Sequence, residues 1–126
     1  MDKKKILVIE DESDQVMMMQ TRLEANGFDV ISASNGEDGM KKAYSERPDL
    51  ILLDLIMPKM SGYEVCRRLK SDPEVRNIPV LVITAVVKRD IDRHQIEMCA
   101  DGVVEKPYDS AEFIQLVQDL INLKKK

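Results

Sequence analysis

Five side chains in this sequence could do chemistry together, and each stands at the end of a short apolar run. Glu10 and Asp11, with Glu12 behind them, follow Ile6-Leu7-Val8-Ile9. Asp54 follows Leu50-Ile51-Leu52-Leu53, and Thr84 follows Val80-Leu81-Val82-Ile83. Lys106 comes just after the shorter Val103-Val104. Carboxylates gathered in one place repel one another and do not stabilise a fold by themselves. A divalent cation removes that repulsion. Oxygen ligands without His or Cys suit Mg²⁺ or Mn²⁺ rather than zinc. Glu12 reads differently, as a helix cap or a solvent-facing acid.

Whether these residues meet depends on the elements that carry them. Apolar runs without alternation read as strands buried on both faces, and a further run spans residues 28 to 33. Helix-period segments with start and stop signals separate the runs. The first covers about residues 14 to 26 and stops at Gly27. The second opens with the capping-box pattern Ser34-Asn35-Gly36-Glu37 and ends before Pro48. The third opens with Ser61-Gly62-Tyr63-Glu64 and turns Val65, Cys66 and Leu69 inward. The fourth falls between residues 88 and 100. The fifth opens with Asp109-Ser110-Ala111-Glu112 and carries the stripe Phe113, Leu116, Val117 and Leu120. A strand followed by a helix, five times over, demands an α/β fold. Its doubly wound parallel sheet has helices on both faces and right-handed crossovers. In such sheets ligands bind beyond the carboxyl ends of the strands, where all five residues sit.

The 126 residues suit one domain, 1–126, with a core from about 4 to 121. Nineteen Lys and Arg against 23 Asp and Glu leave a net charge of −4, which argues against nucleic-acid binding by bulk charge. No apolar stretch approaches the ~18 residues of a membrane span. The apolar part of the N-terminus is too short for a secretory signal. Cys66 and Cys99 lie far apart with no CxxC spacing, so neither a zinc site nor a disulfide framework is expected, and a reducing cytoplasm is the simplest location. His94, in a polar stretch, reads as an exposed surface histidine. On the first helix Val16, Met19 and Leu23 define the inward face, and Met17 points away from it.

The constellation Glu10-Asp11, Asp54 followed by Met57-Pro58, Thr84-Ala85 and Lys106-Pro107-Tyr108 resembles the receiver domain of bacterial response regulators, the CheY-like family, over about residues 4 to 121. The resemblance implies a five-stranded flavodoxin-like sheet in the order 2-1-3-4-5. It also implies a phosphoryl-accepting signalling switch rather than a metabolic enzyme. Asp54 would take the phosphoryl group from a sensor histidine kinase or a histidine phosphotransfer protein. Asp11 would bind Mg²⁺ directly, with Asp54 and the backbone carbonyl of Ile56 as further ligands. Glu10 stands where the family more often has Asp, and its extra methylene leaves open direct or water-mediated contact with the metal. Thr84 and Lys106 would turn to phosphoryl oxygens, and the bond before Pro107 is one that the family holds cis. Ile56 and Val86 flank the approach of the hydrolytic water in that family. Both are apolar and β-branched, so slow self-dephosphorylation is expected. Many receivers carry an aromatic residue three positions before the lysine. Here that position is Val103, so only a partial switch is expected.

The resemblance admits a homodimer through the face made by helix four, strand five and helix five. It leaves the output partner or effector domain unassigned, with neither membrane nor direct nucleic-acid contact expected. Two rivals fit less well. A flavodoxin-like electron carrier needs a phosphate-binding loop after the first strand, where Glu10-Asp11-Glu12 would repel a phosphate. A haloacid-dehalogenase-type phosphatase wants a second Asp two residues after its nucleophile, where Ile56 stands.

Overall fold

β1 (Lys5–Ile9), β2 (Asp29–Ala33), β3 (Leu50–Asp54), β4 (Val80–Thr84) and β5 (Gly102–Glu105) form one parallel sheet in the order β2-β1-β3-β4-β5. This is the expected order. The structure, a computed structural model, describes residues 3–55, 60–84, 99–106 and 108–124. The expected fourth helix lies almost wholly outside them, together with His94. α1 (Ser13–Ala25), α2 (Gly36–Glu46), α3 (Gly62–Ser71) and a C-terminal helix (Ser110–Lys124) pack on the sheet. Among the described residues no helix is long and apolar enough to cross a membrane.

The two faces follow from strand alternation. Ile6 and Val8 of β1 join Leu50, Leu52, Leu81 and Ile83 on one face, covered by Met19 and Leu23 of α1 and by Phe113, Val117 and Leu120 of the C-terminal helix. Leu7 and Ile9 join Ile51, Leu53, Val80 and Val82 on the other, covered by Ala43 of α2 and by Val65, Cys66 and Leu69 of α3. The three central strands are buried on both faces as expected. β2 and β5 are not, because each is an edge strand with one neighbour, and their side chains are mostly half-buried. The methionines of α1 divide as the helix period requires: Met19 is buried and Met17 is 67% exposed.

The caps explain where the helices begin. Ser61 Oγ accepts from Glu64 N at 3.2 Å, and Asp109 Oδ1 accepts from Ala111 N at 2.8 Å and Glu112 N at 3.1 Å, as the sequence suggests. The start of α2 differs. Its cap is Asn35, extended at φ −155°, whose Oδ1 accepts from Asp38 N at 2.9 Å. Ser34 precedes that cap by one residue, so the Ser34–Glu37 box does not form. Asn is as good a cap as Ser, and the register of the helix against β1 decides between them. That register is tight: a Cβ on Gly39 would approach Ile9 Cδ1 to 2.5 Å. α1 stops as expected, at Gly27 with φ +89°, and α2 stops at Arg47 in the left-handed region (φ 48°) before Pro48.

A second tie fixes α3 against the start of β4 and β5. Asp101 Oδ2 accepts from Val80 N at 2.8 Å and from Lys70 Nζ at 2.6 Å, while Asp101 N donates to Val80 O at 2.8 Å. Beside this tie lie Cys66, buried in the α2–α3 core, and Cys99, distant in sequence, which packs against the same core. Both are free thiols, so the fold does not rest on a disulfide. Asp101→Ala leaves a partly buried amide without its acceptor and removes the carboxylate partner of Lys70, whose ammonium keeps Arg76 O and Ile78 O. Urea unfolding should show a loss of about 1–2 kcal/mol, and a loss within error would mean that water replaces the carboxylate there.

Candidate functional site

Parallel register delivers the acids to one edge. Ile9 pairs with Leu53 across β1 and β3, so the next residues, Glu10 just past β1 and Asp54 closing β3, lie side by side. β3 pairs Asp54 with Ile83, which puts Thr84 one step further along β4. Thr84 pairs with Glu105 in β5, and Lys106 N donates to Thr84 O at 2.7 Å. Glu10, Asp11 and Asp54 each offer a carboxylate oxygen, and these oxygens lie within 4.8 Å of one another. The five residues singled out from the sequence therefore converge. Ile56, Val86 and Pro107 lie outside the described residues, as do Met57, Pro58 and Ala85.

The three acids have unlike surroundings. Asp11 is exposed, Asp54 is half-buried and Glu10 is only 2% exposed. The Glu10 carboxyl is held from three sides. Lys106 Nζ lies 3.4 Å from Oε1, Glu12 N donates to Oε2 at 3.3 Å, and the side chain of Asp54 shares a hydrogen bond with it. Burial is the largest cause of its raised pKa, followed by the hydrogen bond and charge of Asp54; the Glu12 amide and the Lys106 charge oppose them. The balance pushes Glu10 up to about 8. Without a cation, then, burial and the neighbouring carboxyl favour the protonated form of Glu10 at neutral pH. Glu12 occupies the cap position of α1 with no side-chain bond to the helix, and its contribution to the site is its backbone N–H.

Gly62 is a structural partner of the site that reading by side-chain chemistry passes over. It begins α3, and its N–H donates to Leu55 O at 2.9 Å. A Cβ there would come within 2.2 Å of Asp54 O and 2.6 Å of Leu55 Cα. Any larger residue would displace the backbone that aims Asp54. The only signal in the sequence is a glycine directly after a helix cap. Thr84 is fully buried at the end of β4. Val103 packs half-buried on the α2–α3 side of the sheet. A shallow cleft opens next to the acids, lined by Asp11, Ser13, Met17, Gln20 and Ser34 among others.

Three carboxylates with converging oxygens and no nitrogen or sulfur ligand among them match a hard divalent cation, so the residues fit Mg²⁺. The family model described as the response regulator receiver domain matches residues 6–118. The chain belongs to the response-regulator receiver family. As a receiver domain of two-component signalling it is a phosphoryl-accepting switch. Its relatives include the alkaline phosphatase synthesis transcriptional regulatory protein PhoP of Bacillus subtilis, 42% identical over 109 residues, covering 86% of this chain and 45% of PhoP. They also include the response regulator PleD of Caulobacter vibrioides, 37% identical over 120 residues, covering 95% of this chain and 26% of PleD. The receiver thus spans less than half the length of both proteins. Among solved structures, the receiver domain of a signal transduction histidine kinase from Syntrophus aciditrophicus superposes with a TM-score of 0.88 at 32% identity, covering 94% of this receiver and 90% of that chain. The receiver domain of a sensor histidine kinase from Pseudomonas aeruginosa, with a magnesium ion coordinated in its active-site cleft, gives 0.87 at 24% identity, covering 96% and 99%.

Because folded Glu10 keeps a proton that the unfolded chain loses near pH 4.5, unfolding releases that proton, and stability falls as pH rises from there to about 8. The slope approaches ~1.4 kcal/mol per pH unit at most. Urea unfolding in the presence of a chelator should show this decline in the wild type and a flatter profile in Glu10→Gln. An equal slope in both proteins would place the titrating group elsewhere.

Proposed function

We propose that Asp54 is the phosphoryl acceptor of this receiver domain and that the donor is a phosphohistidine on a sensor histidine kinase or a histidine phosphotransfer protein. The observation that carries this reading is the convergence of three carboxylates, with oxygens within 4.8 Å of one another, and a lysine at the carboxyl edge of a parallel sheet. An Asp54 carboxylate oxygen attacks phosphorus, the P–N bond breaks, and the imidazole leaves with the electron pair and takes up a proton. The product is an acyl phosphate on Asp54.

Positioning and charge do most of the work in such a transfer. Glu10, Asp11, Asp54 and the backbone carbonyl of Ile56 would hold Mg²⁺, or Mn²⁺ with the same ligand preferences. When bound, the cation offsets the negative charge of the acids and of the phosphoryl oxygens; the magnesium in the Pseudomonas aeruginosa receiver supports this assignment. Lys106 now faces Glu10. A phosphoryl group brings roughly two negative charges, and these draw the ammonium toward it. The Thr84 hydroxyl, buried beside that position, turns to a second phosphoryl oxygen. The bond before Pro107 stands at the position where the family holds a cis peptide. Ile56 and Val86 stand at the family positions that flank the attacking water, and apolar β-branched side chains offer it no hydrogen bond, so the acyl phosphate lasts.

The chain acts here as a regulator that assists its own phosphoryl transfer and hydrolysis, not as a metabolic enzyme. The exposed Met17 borders the cleft beside Asp11, which supports docking of the donor along α1. The output partner or effector domain is one that reads the face around β5 and the C-terminal helix, with a homodimer through that face as one form of readout.

Asp54→Asn removes the nucleophile and keeps the side-chain shape. Incubated with acetyl phosphate and Mg²⁺, the wild type should gain the mass of one phosphoryl group and the variant none, with a melting temperature equal to or above the wild type's without Mg²⁺. An adduct on the folded variant would place the acceptor elsewhere.

A further inference from the structure

Glu10, Asp54 and Thr84 close or follow strands with a neighbour on either side. Lys106 does not: it follows β5, which among the described residues pairs with β4 alone. Its N–H donates to Thr84 O at 2.7 Å, and Glu105 just before it is exposed. A lysine side chain is long and flexible, so its ammonium stays at one point only where the backbone beneath it is fixed. The sheet holds that backbone from one side. The chain two residues further on holds it from the other.

Tyr108 is half-buried there, packed against the core that α1 and the C-terminal helix share with the sheet. Its ring centroid lies 4.9 Å from that of Phe113, with the planes tilted by 36°. Phe113 is 1% exposed and sits in the first turn of the C-terminal helix. Its N–H donates to Asp109 O at 2.9 Å, and Asp109 Oδ1 caps the same helix, so the chain just after Tyr108 is fixed together with the ring. The guanidinium of Arg22, on α1, stands over the Tyr108 ring at 6.0 Å from its centroid, within reach of a cation–π contact. Filling the core would need only an apolar side chain at this position. A ring gripped from two helices does more, because it leaves the chain one place to run.

We propose, building on the reading of Lys106 as a ligand of the phosphoryl group, that Tyr108 is the positioning residue that aims it. Two residues of chain span at most about 7 Å. A ring locked to Phe113 and Arg22 therefore confines the Lys106 backbone to a small volume, and the bond to Thr84 O selects a place within it. From that place Nζ stands 3.4 Å from Glu10 Oε1, at the edge of the acidic cluster. Without the ring the turn is tied at one end only, and the ammonium spends less time within reach of the phosphoryl oxygens. The acids do not depend on this turn, because they stand on or just past β1 and β3. A loosened Lys106 also repels a bound cation no more than before. Loss of the ring thus lowers affinity for the phosphoryl group while affinity for Mg²⁺ holds or rises.

The test uses beryllofluoride, which stands in for a phosphoryl group on an aspartate. It is titrated into the full chain at saturating Mg²⁺ and followed by NMR, with Mg²⁺ alone titrated in parallel. Lys106→Ala should weaken beryllofluoride binding roughly tenfold or more, the worth of one charge-assisted hydrogen bond. Tyr108→Ala should weaken it about threefold to tenfold, with Mg²⁺ affinity equal to or above that of the wild type. Tyr108→Phe keeps the ring and should bind both as the wild type does. Lys106→Ala combined with Tyr108→Ala should bind no more weakly than Lys106→Ala alone. Should Tyr108→Ala not fold, Tyr108→Leu keeps apolar contact with Phe113, loses the ring and should show the same pattern at smaller size. Unchanged beryllofluoride affinity in Tyr108→Ala, beside a loss in Lys106→Ala, would overturn the proposal and leave the role of Lys106 standing. So would a joint loss of Mg²⁺ and beryllofluoride affinity, or additive losses in the double variant. Wild-type binding no tighter than that of Asp54→Asn or of Lys106→Ala would overturn the reading of the site, and the proposal with it.

Discussion

Three carboxyl groups meet where β1 and β3 end, and Glu10, the most buried of them, cannot shed its proton cheaply with burial and the Asp54 carboxyl against it. Lys106 relieves part of this repulsion and the amide of Glu12 relieves more, yet the proton on Glu10 stays up to about pH 8. The site is therefore short of positive charge by design of its neighbours. Everything that a receiver does there, binding a cation and then a phosphoryl group, changes that charge balance. The rest of the fold holds the acids close enough for the shortage to matter.

That holding is done by backbone, not by side chains alone. Register between β1 and β3 puts Glu10 opposite Asp54, and register between β3, β4 and β5 brings Thr84 and Lys106 alongside. Gly62 then lets α3 press against the Asp54–Leu55 backbone more closely than any side chain would permit. Strands buried on both faces are stiff supports, and their hydrophobic packing opposes any relaxation of the acids away from one another. The repulsion persists because the core is strong enough to sustain it.

Much of this was legible in the sequence. Apolar runs of four marked the central strands, and the polar residues that closed those runs were the site itself. Glu10, Asp11, Asp54, Thr84 and Lys106 could be picked out because their chemistry is costly anywhere else. Side-chain contacts across the chain were less legible. The choice of Asn35 over Ser34 as the cap of α2 depends on how Gly39 fits against Ile9, which no local pattern states. The half-buried edges β2 and β5 look in sequence like the central strands, because hydrophobicity alone does not say how many neighbours a strand has. Gly62 and the Lys70–Asp101 ion pair are products of tertiary approach: one is a missing Cβ and the other joins residues far apart in sequence.

The switch depends on the acidic cluster acting as a cation site. Titrating the wild-type protein with Mg²⁺ alone, while following backbone amide resonances by NMR and the melting temperature in parallel, tests this directly. A cation site gives a saturable shift centred on Glu10, Asp11, Asp54 and Lys106, with a melting temperature that rises as the site fills. Shifts spread over the surface acids without saturation, and a melting temperature indifferent to Mg²⁺, would contradict it.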